Sequence, residues 1–210
     1  MRVFEYKGIK IEWLGHASFK ISNKVKIYVD PFILPPTPEK ADIILVTHEH
    51  YDHCAVDNIK KLFGKGTVIV ATEDCISKLK EFEIKAVKPG DKIEVKGIKI
   101  EAVPAYNINK SFHTKASNWV GYVIEIEGVR IYHAGDTDFI PEMKELKDID
   151  IALMPVGGTY TMNAEEAAEA VNTFKPKIAI PMHYGSIVGS REDAEKFKQL
   201  VKESEVIILG

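Results

Sequence analysis

Three histidines and an aspartate fall within six residues, His48-Glu49-His50-Tyr51-Asp52-His53. Imidazole and carboxylate are the side chains that hold zinc, iron, manganese or nickel. Residues two apart on an extended segment point the same way, so His48 and His50 can share one metal ion. If the chain then turns into a helix, Asp52 and His53 can face a second ion nearby. Four ligand-type residues in six positions are hard to explain as unrelated surface or core side chains. The other chemistry-bearing residues are dispersed: His16, His113, His133, Asp136 and His183.

The cluster follows the apolar run Ile43 to Thr47, which reads as a buried strand, and the C-terminal ends of strands are where α/β sheets place ligands. Its surroundings repeat. Gly8-Ile9-Lys10-Ile11-Glu12 recurs as Gly97-Ile98-Lys99-Ile100-Glu101, and Val25-Lys26-Ile27-Tyr28 resembles Val129-Arg130-Ile131-Tyr132. Asp42 to Val46 resembles Asp150 to Met154, and Lys65 to Val70 echoes Pro176 to Ile180, in the same order. Lys and Ile are common here, so one match could be chance. Four in order predict a duplicated β/α unit, with halves near 1–92 and 93–210 of a single domain.

Local patterns agree. Lys10 to Trp13 and Val123 to Glu127 alternate as half-buried strands, and the N-terminal stretch reads as a strand pair. Val56, Ile59, Leu62 and Phe63 share a helical face that Gly64 is placed to end. Asn163 caps a second helix with Ala164, Ala167, Ala168 and Val171 inward. Ser190 and Asp193 open a third, with Ala194, Phe197, Leu200 and Val201 inward. Strands interleaved with helices imply an α/β layered domain with mixed sheets.

Composition sets outer bounds. The 210 residues are 45% hydrophobic and 28% charged, ample for a core and unlike a disordered chain. A net charge of −3 offers no general field for nucleic acid. No segment is long and apolar enough to span a membrane, and the N-terminus has no signal-peptide core. Two cysteines, Cys54 and Cys75, make no disulfide scaffold, so a reducing, cytoplasmic setting is expected. Cys54 reads as a small buried residue and Cys75 as part of a polar helix with no visible partner.

The His-x-His-x-Asp-His pattern resembles the signature of the metallo-β-lactamase superfamily. Trp13-Leu14-Gly15-His16-Ala17-Ser18, Asp30-Pro31, Tyr132 to Thr137 and Ile180 to Tyr184 extend the resemblance over most of the chain. Within it, the Gly-His-Ala-Ser and Asp-Pro elements are similar to small stand-alone hydrolases related to ascorbate-phosphate lactonases. The resemblance implies an αββα sandwich of two similar halves with a dinuclear site at one edge. It also implies two divalent ions, zinc first, with manganese, iron or nickel as alternatives. It assigns His48 and His50 to the first ion and Asp52, His53 and His183 to the second, with Asp136 bridging.

The third ligand of the first ion is open. Where the family places a histidine after a strand, this chain runs Val103-Pro104-Ala105-Tyr106-Asn107, and the nearest histidine is His113. Either His113 reaches back over a longer loop, or Asn107 or water completes the site. Asp52 and His16 are the candidate catalytic residues. His16 either serves the substrate and leaving group or orients a ligand carboxylate. His133 reads as buried support, as does Asp30. The Gly157-Gly158-Thr159-Tyr160-Thr161 segment either offers backbone N–H groups to an anionic oxygen or is a plain loop.

Two metal ions lower the pKa of a shared water from 15.7 to about 7, giving hydroxide at neutral pH without a serine or cysteine nucleophile. The expected function is therefore a metal-dependent hydrolase of an ester or lactone, with a phosphodiesterase or nuclease as the alternative. The expected substrate is a small molecule, and the sequence leaves a homo-oligomer open. A diiron redox protein of the same fold would carry Glu at His50 and an appended flavin domain. A non-enzymatic relative would have lost ligands.

Overall fold

A computed structural model describes residues 3–210. Met1 and Arg2, which begin the expected strand pair, lie outside the described residues. The chain divides into two compact units. One extends to Lys88 and includes Leu209–Gly210; the other is Pro89–Ile208.

The first unit holds β1 (Val3–Tyr6), β2 (Ile9–Gly15), β3 (Ser18–Ser22), β4 (Lys26–Val29), β5 (Ile43–Val46), β6 (Val68–Thr72) and β7 (Ile84–Val87). They form one sheet in sequence order. Pairing is antiparallel from β1 to β4 and parallel from β4 to β7. The second unit holds β8 (Lys92–Val95), β9 (Ile98–Pro104), β10 (Val120–Ile126), β11 (Val129–His133), β12 (Ile151–Pro155), β13 (Ile178–Met182) and β14 (Glu205–Val206), again in sequence order. Its pairing repeats the first: antiparallel to β11, parallel beyond.

The four sequence matches occupy equivalent places, β2 with β9, β4 with β11, β5 with β12 and β6 with β13. The equivalence reaches single bonds. Asp42 Oδ2 accepts from the Lys26 N–H at 2.9 Å, and Asp150 Oδ2 accepts from the Arg130 N–H at 3.0 Å. Each aspartate's own N–H returns to the same partner's carbonyl at 2.9 Å. Each then accepts from the next strand, from Val68 N at 3.0 Å and from Ile178 N at 2.9 Å. A short polar side chain at the head of a buried parallel strand satisfies backbone groups that water cannot reach.

The middle strands are buried on both faces, which is why they read as unbroken apolar runs. In the first unit, α1 (Val56–Leu62) lays Ile59 and Leu62 into a cluster with Ile44, Val46 and Leu79. The helix ends one residue before the expected position, with Phe63 already extended. In the second unit, Asn163 and Glu166 form a reciprocal capping box at the start of α2 (Ala164–Phe174), a device worth about 1 kcal/mol. The buried alanines of α2 and Phe174 turn inward, and the Phe174 ring meets the edge of Tyr132. In α3 (Arg191–Leu200), Asp193 accepts from the Ser190 N–H at 2.8 Å. Ala194 and Phe197 are buried as expected, but Leu200, read as inward, is 38% exposed at the last turn.

Cys75 does not lie on a polar helix. It sits fully buried in a 3-10 turn, Glu73–Ser77, with its Sγ 3.4 Å from Thr72 Oγ1. It also has a partner: the Cys54 thiol is hydrogen-bonded to it, and that neighbour together with burial pushes the Cys75 thiol well above its ordinary value. A polar sequence around one buried position misled the reading, because a 3-10 turn buries one residue without any helical periodicity. Among the described residues, no helix is long and apolar enough to cross a membrane.

Candidate functional site

In each unit the candidate residues leave one edge of the sheet. β2, β4 and β5 run in the same direction, and His16, Asp30 and the His48–His53 segment follow their C-terminal ends. In the second unit, β9, β11 and β13 likewise precede the His113 loop, Asp136 and His183.

The first unit is organised by Asp30, which is fully buried and held at φ 45°, a left-handed conformation costly for a residue with a side chain. Its Oδ1 accepts from the Thr47 N–H at 2.8 Å. Its Oδ2 accepts from the Thr47 hydroxyl at 2.8 Å and from His53 Nδ1–H at 2.7 Å. Two tautomers follow. The bond to a carboxylate puts the proton of His53 on Nδ1, leaving a lone pair on Nε2. The Thr47 hydroxyl spends its one proton on Asp30, so at 2.9 Å it accepts from His48 Nδ1–H, leaving the His48 lone pair on Nε2 as well. His48 Nε2 stands 3.0 Å from His50 Nδ1, and His53 Nε2 stands 3.7 Å from Asp52 Oδ2. Asp52 Oδ2 also meets His16 Nε2 at 3.0 Å.

His16 is fully buried, at φ 52°, with its carbonyl taking the Trp13 indole N–H at 2.9 Å. Its Nε2 is thus turned to the Asp52 carboxylate. Cys54 is buried at the end of the segment, as expected.

In the second unit, Asp136 Oδ2 lies 3.2 Å from His113 Nε2 and 3.1 Å from His183 Nε2, and all three residues are buried. The six-residue gap between Asn107 and His113 closes as a small loop, because the Asn107 N–H reaches the His113 carbonyl at 2.7 Å. The histidine therefore returns to the end of β9. Asn107 turns its amide to the His113 ring instead of to Asp136. His133 is buried and accepts the Gly135 N–H at 3.2 Å, a supporting position. Two amides of the Gly157 segment are spent within it: Gly158 N–H bonds the Met162 carbonyl and Thr159 N–H the Gly157 carbonyl, both at 3.0 Å.

His183 has φ 60° and is fixed by Gly157, where a Cβ would fall 2.3 Å from the His183 carbonyl oxygen. Gly157→Ala must therefore displace His183. We expect a stability loss of about 1–3 kcal/mol in urea denaturation, together with weaker metal binding. Unchanged values for both would show that the His183 segment gives way without cost.

The donor chemistry fits a metal. Nitrogen and oxygen donors held about 2.0–2.2 Å from one ion stand about 3 Å from each other, the spacing found inside each ligand set. A neutral imidazole lone pair facing a carboxylate oxygen is repulsive unless a proton or a cation lies between them. Two residues that the sequence did not single out complete the arrangement. Thr47 carries the Asp30 carboxylate to His48. Asp138, buried two residues beyond Asp136, takes Asn107 Nδ2–H at 3.1 Å and Lys110 at 2.6 Å. A second carboxylate two positions from a ligand was the signal available for the latter.

A family model described as the β-lactamase superfamily domain matches residues 10–183. The chain belongs to the metallo-β-lactamase superfamily. It is 40% identical to a metal-dependent hydrolase of Thermococcus onnurineus, over 96% of each chain. It is also 40% identical to one of Thermoplasma acidophilum, over 92% of this chain and 91% of the relative. Among solved structures, a metal-dependent hydrolase of Parabacteroides distasonis superposes with a TM-score of 0.88 at 38% identity, covering 99% of this chain and 96% of that one. A metallo hydrolase of Ignicoccus hospitalis gives 0.78 at 26% identity, with coverage of 95% and 94%. The two mixed sheets and their helices match this superfamily's fold, and the chain is a metal-dependent hydrolase.

Proposed function

We propose that this protein hydrolyses an ester or lactone at a two-metal centre. His48, His50 and His113 would hold the first ion and Asp52, His53 and His183 the second, with Asp136 a carboxylate ligand. The observation that carries this reading is Asp136 Oδ2 between the Nε2 atoms of His113 and His183, at 3.2 and 3.1 Å. Membership of the superfamily supports a metal role for the His48–His53 segment. Two divalent ions, zinc first, would lower the pKa of a bound water to about 7 and polarise the bond under attack. The chain's own part is positional. Asp30 and Thr47 fix the tautomers of His48 and His53, and His16 holds Asp52.

The choice of an apolar ester or lactone over a phosphodiester rests on what flanks the ligands. Tyr51, Ile108, Phe112 and Ile187 are large hydrophobic residues between 38% and 67% exposed, and each lies within five residues of a proposed ligand. Ile108 and Phe112, on the His113 loop itself, give an apolar group of a substrate something to rest on. The cation within the His113 loop, Lys110, is paired to Asp138 instead of being presented to an anion.

Treatment with a chelator should abolish hydrolysis of aryl esters, and zinc or manganese should restore it. Elemental analysis should find two ions per chain. Esters with longer acyl chains should be turned over faster than acetate esters, and faster than bis-aryl phosphodiesters. Faster phosphodiester cleavage would overturn the bond assignment, and activity that survives metal removal would overturn the centre.

A further inference from the structure

We propose that Asn107 is a positioning residue: it fixes the His113 tautomer and ring orientation through an anchor formed by Asp138 and Lys110. The part concerning metal rests on His113 being a ligand, as proposed above.

All four hydrogen-bonding positions of the Asn107 amide are used. Its Oδ1 accepts from the His113 backbone N–H and from His113 Nδ1, both at 3.0 Å. Its Nδ2 donates to Asp138 Oδ1 at 3.1 Å and to the Tyr160 carbonyl at 2.9 Å. Reversing the amide would set its NH2 against a backbone N–H, and its oxygen against a carboxylate and a carbonyl. The orientation is therefore determined by chemistry and does not depend on how the two atoms were placed. An amide oxygen only accepts, so the proton of neutral His113 is on Nδ1. The Nε2 lone pair is thereby directed at the position beside Asp136 Oδ2. Neutral imidazole in water prefers the opposite tautomer, so Asn107 imposes the form that a metal ligand needs.

The anchor is as definite. Asp138 is 5% exposed and accepts from Asn107 Nδ2–H, the Ile108 N–H at 2.9 Å and Lys110 Nζ at 2.6 Å. Lys110 neutralises the buried carboxylate, and the carboxylate keeps the amide from rotating. This chain of contacts also accounts for the departure from the family pattern at the end of β9. The position holds an amide that positions a ligand six residues later.

The test reads the tautomer directly. Long-range 15N NMR of the metal-free protein should show His113 protonated on Nδ1. In Asn107→Ala the Nε2–H form should appear, and the affinity for the more weakly held ion should fall about 10- to 100-fold. Asn107→Asp alone should be worse, because it buries a second carboxylate against Asp138. Asp138→Ala, which removes the acceptor for Asn107 Nδ2–H and leaves Asn107 in place, should move the same two readings in the same direction by less. If Asn107→Ala does not fold, Asp138→Ala is compared with the parent for both readings. Nε2–H in the parent protein, or a parental tautomer in whichever variant folds, overturns the proposal. A changed tautomer with unchanged metal affinity instead removes His113 from the ligand set and overturns the metal assignment above.

Discussion

Asp136→Ala should reduce hydrolysis about a thousandfold and leave the fold intact. The carboxylate is buried and is the common neighbour of His113 and His183. Removing it takes away the anion between two imidazoles and, on the proposed assignment, the group shared by both ions. Metal ions in such sites contribute several kcal/mol of transition-state stabilisation, and each 1.4 kcal/mol is about tenfold in rate. The side chain ends no strand ladder and caps no helix, so circular dichroism and the urea midpoint should move little. Elemental analysis should show fewer ions per chain. A variant that keeps two ions and near-parental kcat/KM would exclude Asp136 from the centre.

Asp30→Ala should behave in the opposite sense, with a large loss of stability as well as of metal. Three buried donors, the Thr47 N–H, the Thr47 hydroxyl and His53 Nδ1–H, would lose their acceptor together. Each stranded donor costs about 1–3 kcal/mol, and breaking a buried charged contact costs about 3–5 kcal/mol in all. A loss near that upper range in urea denaturation is therefore expected, with Asp30→Asn between it and the parent because one acceptor oxygen survives. With the tautomers of His48 and His53 released, metal affinity should fall in both variants even at temperatures where they remain folded. A destabilised Asp30→Asn protein with parental metal affinity would separate support of the fold from support of the ligands.

Much of this architecture was readable because the relevant physics is local in sequence. Buried parallel strands are unbroken apolar runs, and the duplication repeats them with the same leading aspartates, Asp42 and Asp150. The His48–His53 segment is legible because its donors are consecutive. What the sequence left open depended on loop closure. Asn107 and His113 are six residues apart, and only the bonds that fold one onto the other show which residue faces Asp136. Thr47 acts through another side chain, so no spacing rule finds it, and Asp138 is marked only by its place two residues from Asp136. The Gly157 segment was ambiguous for the same reason: whether its N–H groups are available depends on where its own carbonyls turn. Cys75 differs because a 3-10 turn buries one residue without helical periodicity, and Leu200 because the last turn of α3 leaves it exposed.

The repeated sheet has a consequence for how this protein can change. It offers corresponding loop positions twice, and the chain divides the labour between the copies. After the fifth strand of the sheet, the first unit carries His48–His53, while the second carries the Gly157–Thr161 segment. After the sixth, the second unit carries His183, while the first carries the buried Cys75 turn. On the proposed assignment, the ligand-bearing copy is constrained by the ions, and its counterpart is not required to bind them. Exposed positions such as Thr159, Glu73 and Ile76 can therefore vary in chemistry without disturbing the strands, whereas Gly157 and the Tyr160 carbonyl stay tied to His183 and Asn107. Selectivity for the substrate can evolve in one copy while the other keeps the reaction.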